Sequence, residues 1–239
     1  MAPAVVLLHG FTLTGASWNP VVSALGESYR ASALDIRGHG SATDRVPVAL
    51  DGVLDDLAAL GPDQFTLVGY SMGGRIALHA ALGMPDRIGR LVLIGASPGI
   101  EDPAQREARR AADEQLAQEI EGSTIEEFAR RWAQTPVLAG QASEVLAAAH
   151  ADRLRNRPAG LAAALRGLGN AALPSLWRRL PEIAIPVALV VGERDERFRA
   201  IASEMAARLP AAQTIVVPGA GHAVHLEVPE AVAAAIKGG

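Results

Sequence analysis

The sequence predicts an α/β fold in which a mostly parallel, doubly wound sheet carries an inserted helical lid. Short apolar runs alternate with helix-like segments, and this alternation is typical of a sheet with helices on both faces. The alternation stops between Ser97 and about Pro181, where no convincing strand occurs. In addition, the pattern Gly-x-Ser-x-Gly at residues 69–73 stands where an apolar run passes into a helix-like segment.

Six apolar runs have the length of strands, and we expect them to be buried on both faces, as strands inside a parallel sheet are. They are residues 5–8, 33–36, 65–68, 91–94, 187–191 and 214–217. A helix is predicted over 18–25 with Ser17 as its N-terminal cap. Apolar residues at helical spacing predict a second helix over 50–60, which Gly61-Pro62 would end.

The stretch without strands is predicted to be the lid, at residues 98–180, inserted into a core of residues 1–97 and 181–239. Helices are expected in it over 102–121, 124–132, 142–154 and 161–168. Such a lid would cover the carboxyl ends of the strands, where ligands bind in open α/β sheets.

Composition excludes several classes of protein. The 239 residues are 49% hydrophobic, enough for a sizeable core, and the net charge of −4 argues against a nucleic-acid partner. There are no cysteines, so disulfides and thiolate metal sites are excluded. No apolar run approaches the roughly 20 residues of a membrane span, and no signal peptide is recognisable. We therefore expect a cytoplasmic protein that is a monomer or a weak homo-oligomer.

The pattern around Ser71 predicts a nucleophile elbow, a sharp strand-to-helix turn that exposes a serine hydroxyl. Asp195 follows the run 187–191, and His222 follows the run 214–217, so the three occur in the order expected of a catalytic triad on this fold. The imidazole would activate the serine, and the carboxylate would fix the imidazole tautomer. Glu193 is a rival carboxylate, and Asp195 could instead cap the following helix.

An oxyanion hole is expected from two backbone N–H groups, those of Phe11 and Met72. His9 reads as a strand-end side chain that hydrogen-bonds the backbone, and His39 as a loop residue. His79 reads as a structural residue, whereas His225 could face the same pocket as His222.

Four motifs together resemble the α/β-hydrolase superfamily: residues 8–12, 35–40, 69–73 and 219–222. Narrower motifs at residues 69–75, 96–100, 153–162, 165–169, 174–177, 192–195 and 221–227 resemble the 2-succinyl-6-hydroxy-2,4-cyclohexadiene-1-carboxylate synthases of menaquinone biosynthesis. The resemblance covers sheet and lid. One departure is Asn170-Ala171-Ala172-Leu173, where members of that family often carry Thr-Gly-x-Gln.

The resemblance implies a carbon–oxygen lyase without metal or organic cofactor. It would eliminate pyruvate from the tricarboxylate 2-succinyl-5-enolpyruvyl-6-hydroxy-3-cyclohexene-1-carboxylate, with Ser71 acting as a base rather than forming an acyl-enzyme. Five side chains would contact this substrate: Tyr70, Arg75, Arg109, Trp132 and Arg153. Arg110 and Arg155 lie one register away and could exchange roles with their neighbours, and Arg166 is a weaker candidate.

Two other functions fit the same residues. An esterase, lactonase or carbon–carbon bond hydrolase would use Ser71 as a covalent nucleophile, although apolar substrates would not require three arginines in the pocket. A binding protein that has lost turnover is also compatible with the fold, but it has little reason to retain Ser71, Asp195 and His222 together.

Overall fold

Six parallel strands form a single sheet in this computed structural model, which describes residues 2–60 and 63–238. The strands are β1 Ala4–Leu8, β2 Arg30–Leu34, β3 Phe65–Tyr70, β4 Ile88–Ile94, β5 Val187–Gly192 and β6 Ala212–Val217. Their order across the sheet is β2-β1-β3-β4-β5-β6. The predicted α/β class and parallel sheet are confirmed.

The two outer strands differ from the prediction. Strands β1, β3, β4 and β5 are largely buried, but most residues of β2 and β6 are partly or fully exposed. The expectation of burial on both faces was wrong for the runs 33–36 and 214–217, because these strands form the two edges of the sheet. The first of these runs was also displaced, since β2 begins at Arg30 and ends at Leu34.

Ten α-helices occur in the described ranges 2–60 and 63–238. They are α1 Asn19–Leu25, α2 Leu50–Ala58, α3 Met72–Gly83, α4 Pro103–Glu121, α5 Ile125–Trp132, α6 Ser143–Arg153, α7 Pro158–Leu168, α8 Glu196–Ala206, α9 Val224–Glu227 and α10 Pro229–Lys237. Ser17 does not cap α1: it lies in a short 3-10 turn, and its hydroxyl donates to the carbonyl of Thr14. The predicted stop at Gly61-Pro62 lies outside the described residues.

Alternate side chains of the central strands enter two separate cores, as a doubly wound sheet requires. Val6 and Leu8 of β1 belong to the cluster that packs under α2, α3 and α8. Val5 and Leu7 belong to the cluster that packs under α1 and α10. Both faces of the sheet are therefore covered by helices, which leaves the carboxyl ends of its strands as the place for a site.

The helices α4 to α7 lie between β4 and β5 in the chain, and α4, α5 and α7 share a small apolar cluster. Its buried members are Ala117, Ile120, Phe128, Leu161, Ala162 and Leu165. Side chains cap the starts of α4 and α5: the carboxylate of Asp102 accepts from the amide of Gln105 at 2.7 Å, and Thr124 forms a capping box with Glu127. No helix among the described residues combines the length and apolarity needed to cross a membrane.

Candidate active site

Ser71 lies at the turn between β3 and α3 in a strained backbone conformation, with φ 51° and ψ −107°. A Cβ on Gly69 would lie 2.5 Å from the carbonyl oxygen of Gly73, and a Cβ on Gly73 would collide with the carbonyl of Leu8. Only glycine therefore fits at positions 69 and 73, two residues before and two residues after the serine. The sharp turn predicted from the sequence is present, and such strained residues are concentrated at functional sites.

Asp195 and His222 form a hydrogen-bonded pair beside this turn. Oδ2 of Asp195 lies 2.6 Å from Nδ1 of His222, while its Oδ1 accepts from the amide of Phe198 at 3.2 Å. A carboxylate acceptor requires a proton on Nδ1, which leaves the lone pair of Nε2 free to accept a proton. The carboxylate of Asp195 therefore makes both contacts considered from the sequence, one with the first turn of α8 and one with the imidazole. Glu193 instead accepts from the amide of Gly219 at 2.9 Å.

Two adjoining cavities, of about 220 Å³ and about 60 Å³, both include Ser71 and His222 in their walls. Phe11 and Trp132 also line both, and their rings stand edge to face with centroids 5.3 Å apart. This aromatic pair joins the loop after β1 to helix α5. The serine and the imidazole are therefore accessible from two spaces of different size.

Arg75 projects from the first turn of α3 into the wall of the larger cavity. Its Nη1 donates to Oδ1 of Asn170 at 2.6 Å and its Nη2 to the carbonyl of Leu168 at 3.3 Å, whereas its Nε has no partner among the described residues. The side chain is only 7% exposed. Burial and the nearby Arg109 guanidinium lower the pKa of Arg75 to about 10, so the group remains charged at neutral pH.

Arg109 lines the same cavity from α4 and forms an ion pair with Asp113 at 2.7 Å. Arg110, in contrast, lines a separate groove between α4 and α7, and it lies 4.0 Å from Glu107. The structure thus places Arg109 rather than Arg110 at the cavity. Arg166 also lies outside both cavities, because it bridges Glu114 and Glu121 at the surface of α4; the suggestion that it faces the pocket was wrong.

Arg153 lines the smaller cavity, and the residue is only 2% exposed. Its Nε donates to Oγ1 of Thr12 at 3.3 Å, and its Nη1 has no partner within the described chain. Burial lowers the pKa of Arg153, while the neighbouring Tyr70 and Asp152 favour the charged form. Arg155 is exposed and lies 3.6 Å from Asp152, so the register favours Arg153.

The segment around Arg153 is fixed to the core by its neighbours. Asp152 accepts from the amide of Thr14 at 2.8 Å and from its hydroxyl at 2.5 Å. Asn156 donates to the carbonyl of Thr12 at 2.8 Å and accepts from the amide of Gly40 at 3.0 Å. Thr12 itself has φ 73°, a costly conformation for a β-branched residue, and these contacts hold it there. The guanidinium of Arg153 is therefore presented from a rigid support.

Tyr70 and Trp132, the two aromatic residues implied by the resemblance, both reach the site. Tyr70 lines the smaller cavity, and burial raises the pKa of its phenol, which keeps it neutral. Its ring leaves no room for a side chain at position 10, since a Cβ on Gly10 would lie 2.6 Å from it. Trp132 packs against the apolar cluster of α4, α5 and α7 and also lines both cavities.

The expected oxyanion-hole residues, Phe11 and Met72, line the larger cavity with Ser71. Nε2 of His9 accepts from the amide of Ile36 at 3.0 Å, so its Nδ1 carries the proton and donates to the carbonyl of Gly10 at 2.8 Å. The carbonyl of Gly10 and the N–H of Phe11 belong to one planar trans peptide and point in opposite directions. By holding that carbonyl, His9 orients the N–H of Phe11.

Three further histidines are buried outside both cavities. His225 packs between Tyr70 and Trp18, at ring-centroid distances of 4.2 and 4.7 Å, so the suggestion that it faces the pocket was wrong. His39 lies against the ring of His9, at 4.8 Å. Burial lowers the pKa of His39 and of His225 to about 3 and that of His79 to about 4, so all three are neutral at pH 7.

Sequence reasoning missed three polar residues of the larger cavity, Ser97, Asn170 and Arg197. Arg197 lines it from the first turn of α8, with its guanidinium carbon 5.8 Å from the ring centroid of Phe198. Its position two residues after Asp195 was the available signal. Asn170 also lines the cavity and holds Arg75. The signal there was the departure from the Thr-Gly-x-Gln pattern, which marked the loop without giving its role.

An open parallel sheet with a serine elbow and a histidine–carboxylate pair at its carboxyl edge is the architecture of α/β hydrolases. A family model described as "Alpha/beta hydrolase family" matches residues 5–235. The chain belongs to this family.

Within that family, several relatives that carry the same enzyme name match nearly the whole chain. The 2-succinyl-6-hydroxy-2,4-cyclohexadiene-1-carboxylate synthase of Enterobacter sp. (strain 638) is 36% identical over 98% of this chain and 90% of its own length. The synthase of the same name from Salmonella heidelberg (strain SL476) is 36% identical over 97% and 91%. The chain is thus a member of the group formed by these synthases.

Solved structures with the same fold include proteins of different names. A structure of MenH from S. aureus superposes with a TM-score of 0.94 at 30% identity, covering 100% of this chain and 93% of that one. A thermophilic esterase from Thermogutta terrifontis, solved with malate bound, gives a TM-score of 0.78 at 30% identity over 99% and 88%.

Proposed function

We propose that this chain is a lyase that eliminates pyruvate from 2-succinyl-5-enolpyruvyl-6-hydroxy-3-cyclohexene-1-carboxylate in menaquinone biosynthesis. The observation that carries the proposal is a pair of buried guanidiniums, those of Arg75 and Arg153. Each has an unpartnered N–H donor and no ion pair with a described carboxylate, and each lines a cavity shared with Ser71 and His222.

A buried cation without an opposite charge is costly, and the cost is recovered when an anion binds. The proposed substrate carries three carboxylates, and a guanidinium binds a carboxylate through two parallel hydrogen bonds. Arg109 supplies a third cation at the larger cavity. The positive charges line both of the cavities that include Ser71, which suits an extended trianion better than a neutral ester.

The chemistry follows from the proposed substrate and product. Nε2 of His222 accepts the proton of Ser71, with Asp195 stabilising the imidazolium, and the serine oxygen removes the ring proton next to the succinyl carbonyl. The electron pair forms a new ring double bond, the existing double bond shifts, and the bond from the ring to the enolpyruvyl oxygen breaks. The imidazolium of His222 passes its proton to the leaving enolate, which becomes pyruvate, and Ser71 is again protonated as at the start.

Negative charge develops on the succinyl carbonyl oxygen while the ring proton leaves. We propose that the N–H groups of Phe11 and Met72 stabilise it, because both residues line the cavity beside Ser71. Tyr70 and Trp132 would contact the ring and its substituents. No group outside this chain is needed to balance the reaction.

The test is release of pyruvate from the enolpyruvyl substrate, followed by coupling to lactate dehydrogenase. The proposal requires turnover by the wild-type chain and its loss in Ser71→Ala. Pyruvate release at the uncatalysed rate by the wild-type chain would contradict it.

A second candidate is ester hydrolysis, which the 30% identical esterase favours. It predicts a burst of p-nitrophenol from p-nitrophenyl acetate as an acyl-enzyme accumulates on Ser71. A burst without pyruvate release would select this alternative.

We further propose residues 98–180 as the lid and residues 1–97 and 181–239 as the core, which the separate apolar cluster of α4, α5 and α7 supports. The net charge of −4 supports a protein without nucleic-acid partners. We propose a cytoplasmic location and a monomer or weak homo-oligomer, which fractionation and sedimentation would test.

A further inference from the structure

We infer that Asn170 is a specificity-determining positioning residue: it holds Arg75 with a neutral amide, so that the charge of Arg75 stays available to an anionic substrate. The inference rests on the proposed function. Asn170 follows the end of α7, at the point where the chain departs from the pattern common in the related synthases.

Every acceptor that holds Arg75 is uncharged. Nη1 donates to the side-chain oxygen of Asn170 at 2.6 Å, and Nη2 donates to the carbonyl of Leu168 at 3.3 Å. Leu168 is the last residue of α7, and the carbonyls at a helix C-terminus carry partial negative charge. These dipoles orient the guanidinium and offset part of its burial cost, but they leave its full positive charge in place.

Arg109 shows the opposite arrangement in the same cavity. Its Nε pairs with the carboxylate of Asp113 at 2.7 Å, so a nearby negative charge already compensates it. Asp113 is buried, and its second oxygen has no partner in the described chain. A substrate carboxylate that approaches Arg109 therefore also meets Asp113. One that approaches Arg75 meets a cation with no ion pair among the described residues and a free Nε donor, since the effect of Asp113 on Arg75 is smaller than that of the neighbouring Arg109.

The side chain at position 170 thus sets the net charge that the wall of the larger cavity presents beside Arg75. An aspartate would fit the same space and would accept the same hydrogen bond from Arg75. It would also form an ion pair with Arg75 inside the apo protein and would repel a carboxylate in the cavity. The Asn170→Asp variant would be at least as stable as the wild-type protein, and it would bind the substrate less tightly.

The experiment compares Asn170→Asp, Asn170→Thr and Asn170→Ala with the wild-type chain. Asn19→Asp is the matched control, because it adds the same charge at an exposed residue of α1 outside both cavities. We measure KM and kcat for pyruvate release, the Kd of the trianion propane-1,2,3-tricarboxylate by calorimetry, and the melting temperature without ligand.

For Asn170→Asp we expect KM and Kd to rise about tenfold or more, while kcat changes less than about threefold and the melting temperature stays equal or rises. Asn170→Thr keeps a neutral acceptor, and its KM should stay within about threefold of wild type. Asn170→Ala loses the hydrogen bond but adds no charge, so its KM should rise less than that of the aspartate variant.

A merely structural role for Asn170 would make stability and binding fall together. The inference is overturned if Asn170→Asp binds the trianion as well as wild type, or if Asn170→Ala or Asn170→Thr raises KM as much as the aspartate does. The proposed function fails separately, if the wild-type chain releases no pyruvate. The calorimetric comparison still tests Asn170 in that event.

Discussion

Replacing Arg75 by methionine should make the protein more stable and a poorer enzyme. Methionine has a similar length and flexibility, so it fills the space of the stem without the guanidinium. Arg75 is the informative position because its side chain is only 7% exposed and has no carboxylate partner among the described residues.

The expected size of the stability change follows from the pKa of Arg75. Its fall to about 10, caused first by burial and then by Arg109, corresponds to about 3 kcal/mol of unfavourable charge burial in the folded state. This cost is present at every pH below about 10 and is relieved above it, because the depressed pKa belongs to a cation. The variant also loses the bonds to Asn170 and Leu168, about 1 kcal/mol each. The net expectation is a gain of about 1 kcal/mol.

The same change should lower kcat/KM about 10- to 100-fold, since a charge-assisted contact to a carboxylate contributes about 1.5 to 3 kcal/mol. Urea unfolding at pH 7 measures the first effect, and coupled pyruvate release measures the second. Arg178→Met is the matched control, because that side chain is 90% exposed and pairs with Glu101 at the surface. A variant that loses stability and keeps full kcat/KM would refute the assignment of Arg75 as an uncompensated anion-binding group.

Three further results are expected. Ser71→Ala should lower kcat by about 10³-fold or more while its calorimetric Kd for the substrate stays within about threefold; near-wild-type turnover would exclude the serine as base. Arg197→Ala should raise KM only severalfold, because this cation is exposed, and the effect should shrink in 0.5 M salt, on the order of the screening expected there; an effect independent of salt would contradict it. His39 and His225 stay neutral when buried but bind protons once unfolded, so each should cost about 2 kcal/mol of stability between pH 7 and pH 5. Urea midpoints of His225→Phe should fall less with acid than those of wild type, and equal slopes would disprove the role of His225.

Patterns within a few residues predicted most of the fold and the central part of the site. The glycines around Ser71 are dictated by backbone contacts within one turn, so their spacing was sufficient evidence for the elbow. Asp195 and His222 each follow a strand, and parallel strands bring their carboxyl ends to one edge of the sheet. Their 2.6 Å contact follows because β5 and β6 are neighbours in the sheet, although no strand order was predicted.

Features that depend on distant parts of the chain were not predictable in this way. Local composition does not indicate which strands become edges, so β2 and β6 were expected to be buried. Whether Arg109 or Arg110 faces the cavity depends on the rotation of α4 against α7. Whether Arg153 or Arg155 does so depends on the hydrogen bonds between Asp152 and Thr14. The contact of Asn170 with Arg75 spans 95 residues, beyond any local pattern.

The bonds from Asp152 and Asn156 have a consequence for transplanting the lid between enzymes of this fold. They attach α6 and the start of α7 to Thr12, Thr14 and Gly40 of the core. A chimera that exchanged the lid alone would leave these donors and acceptors facing foreign partners. The loops that carry Thr12, Thr14 and Gly40 would have to be exchanged together with residues 98–180. A transfer of substrate specificity would therefore require segments that lie far from that region in the sequence.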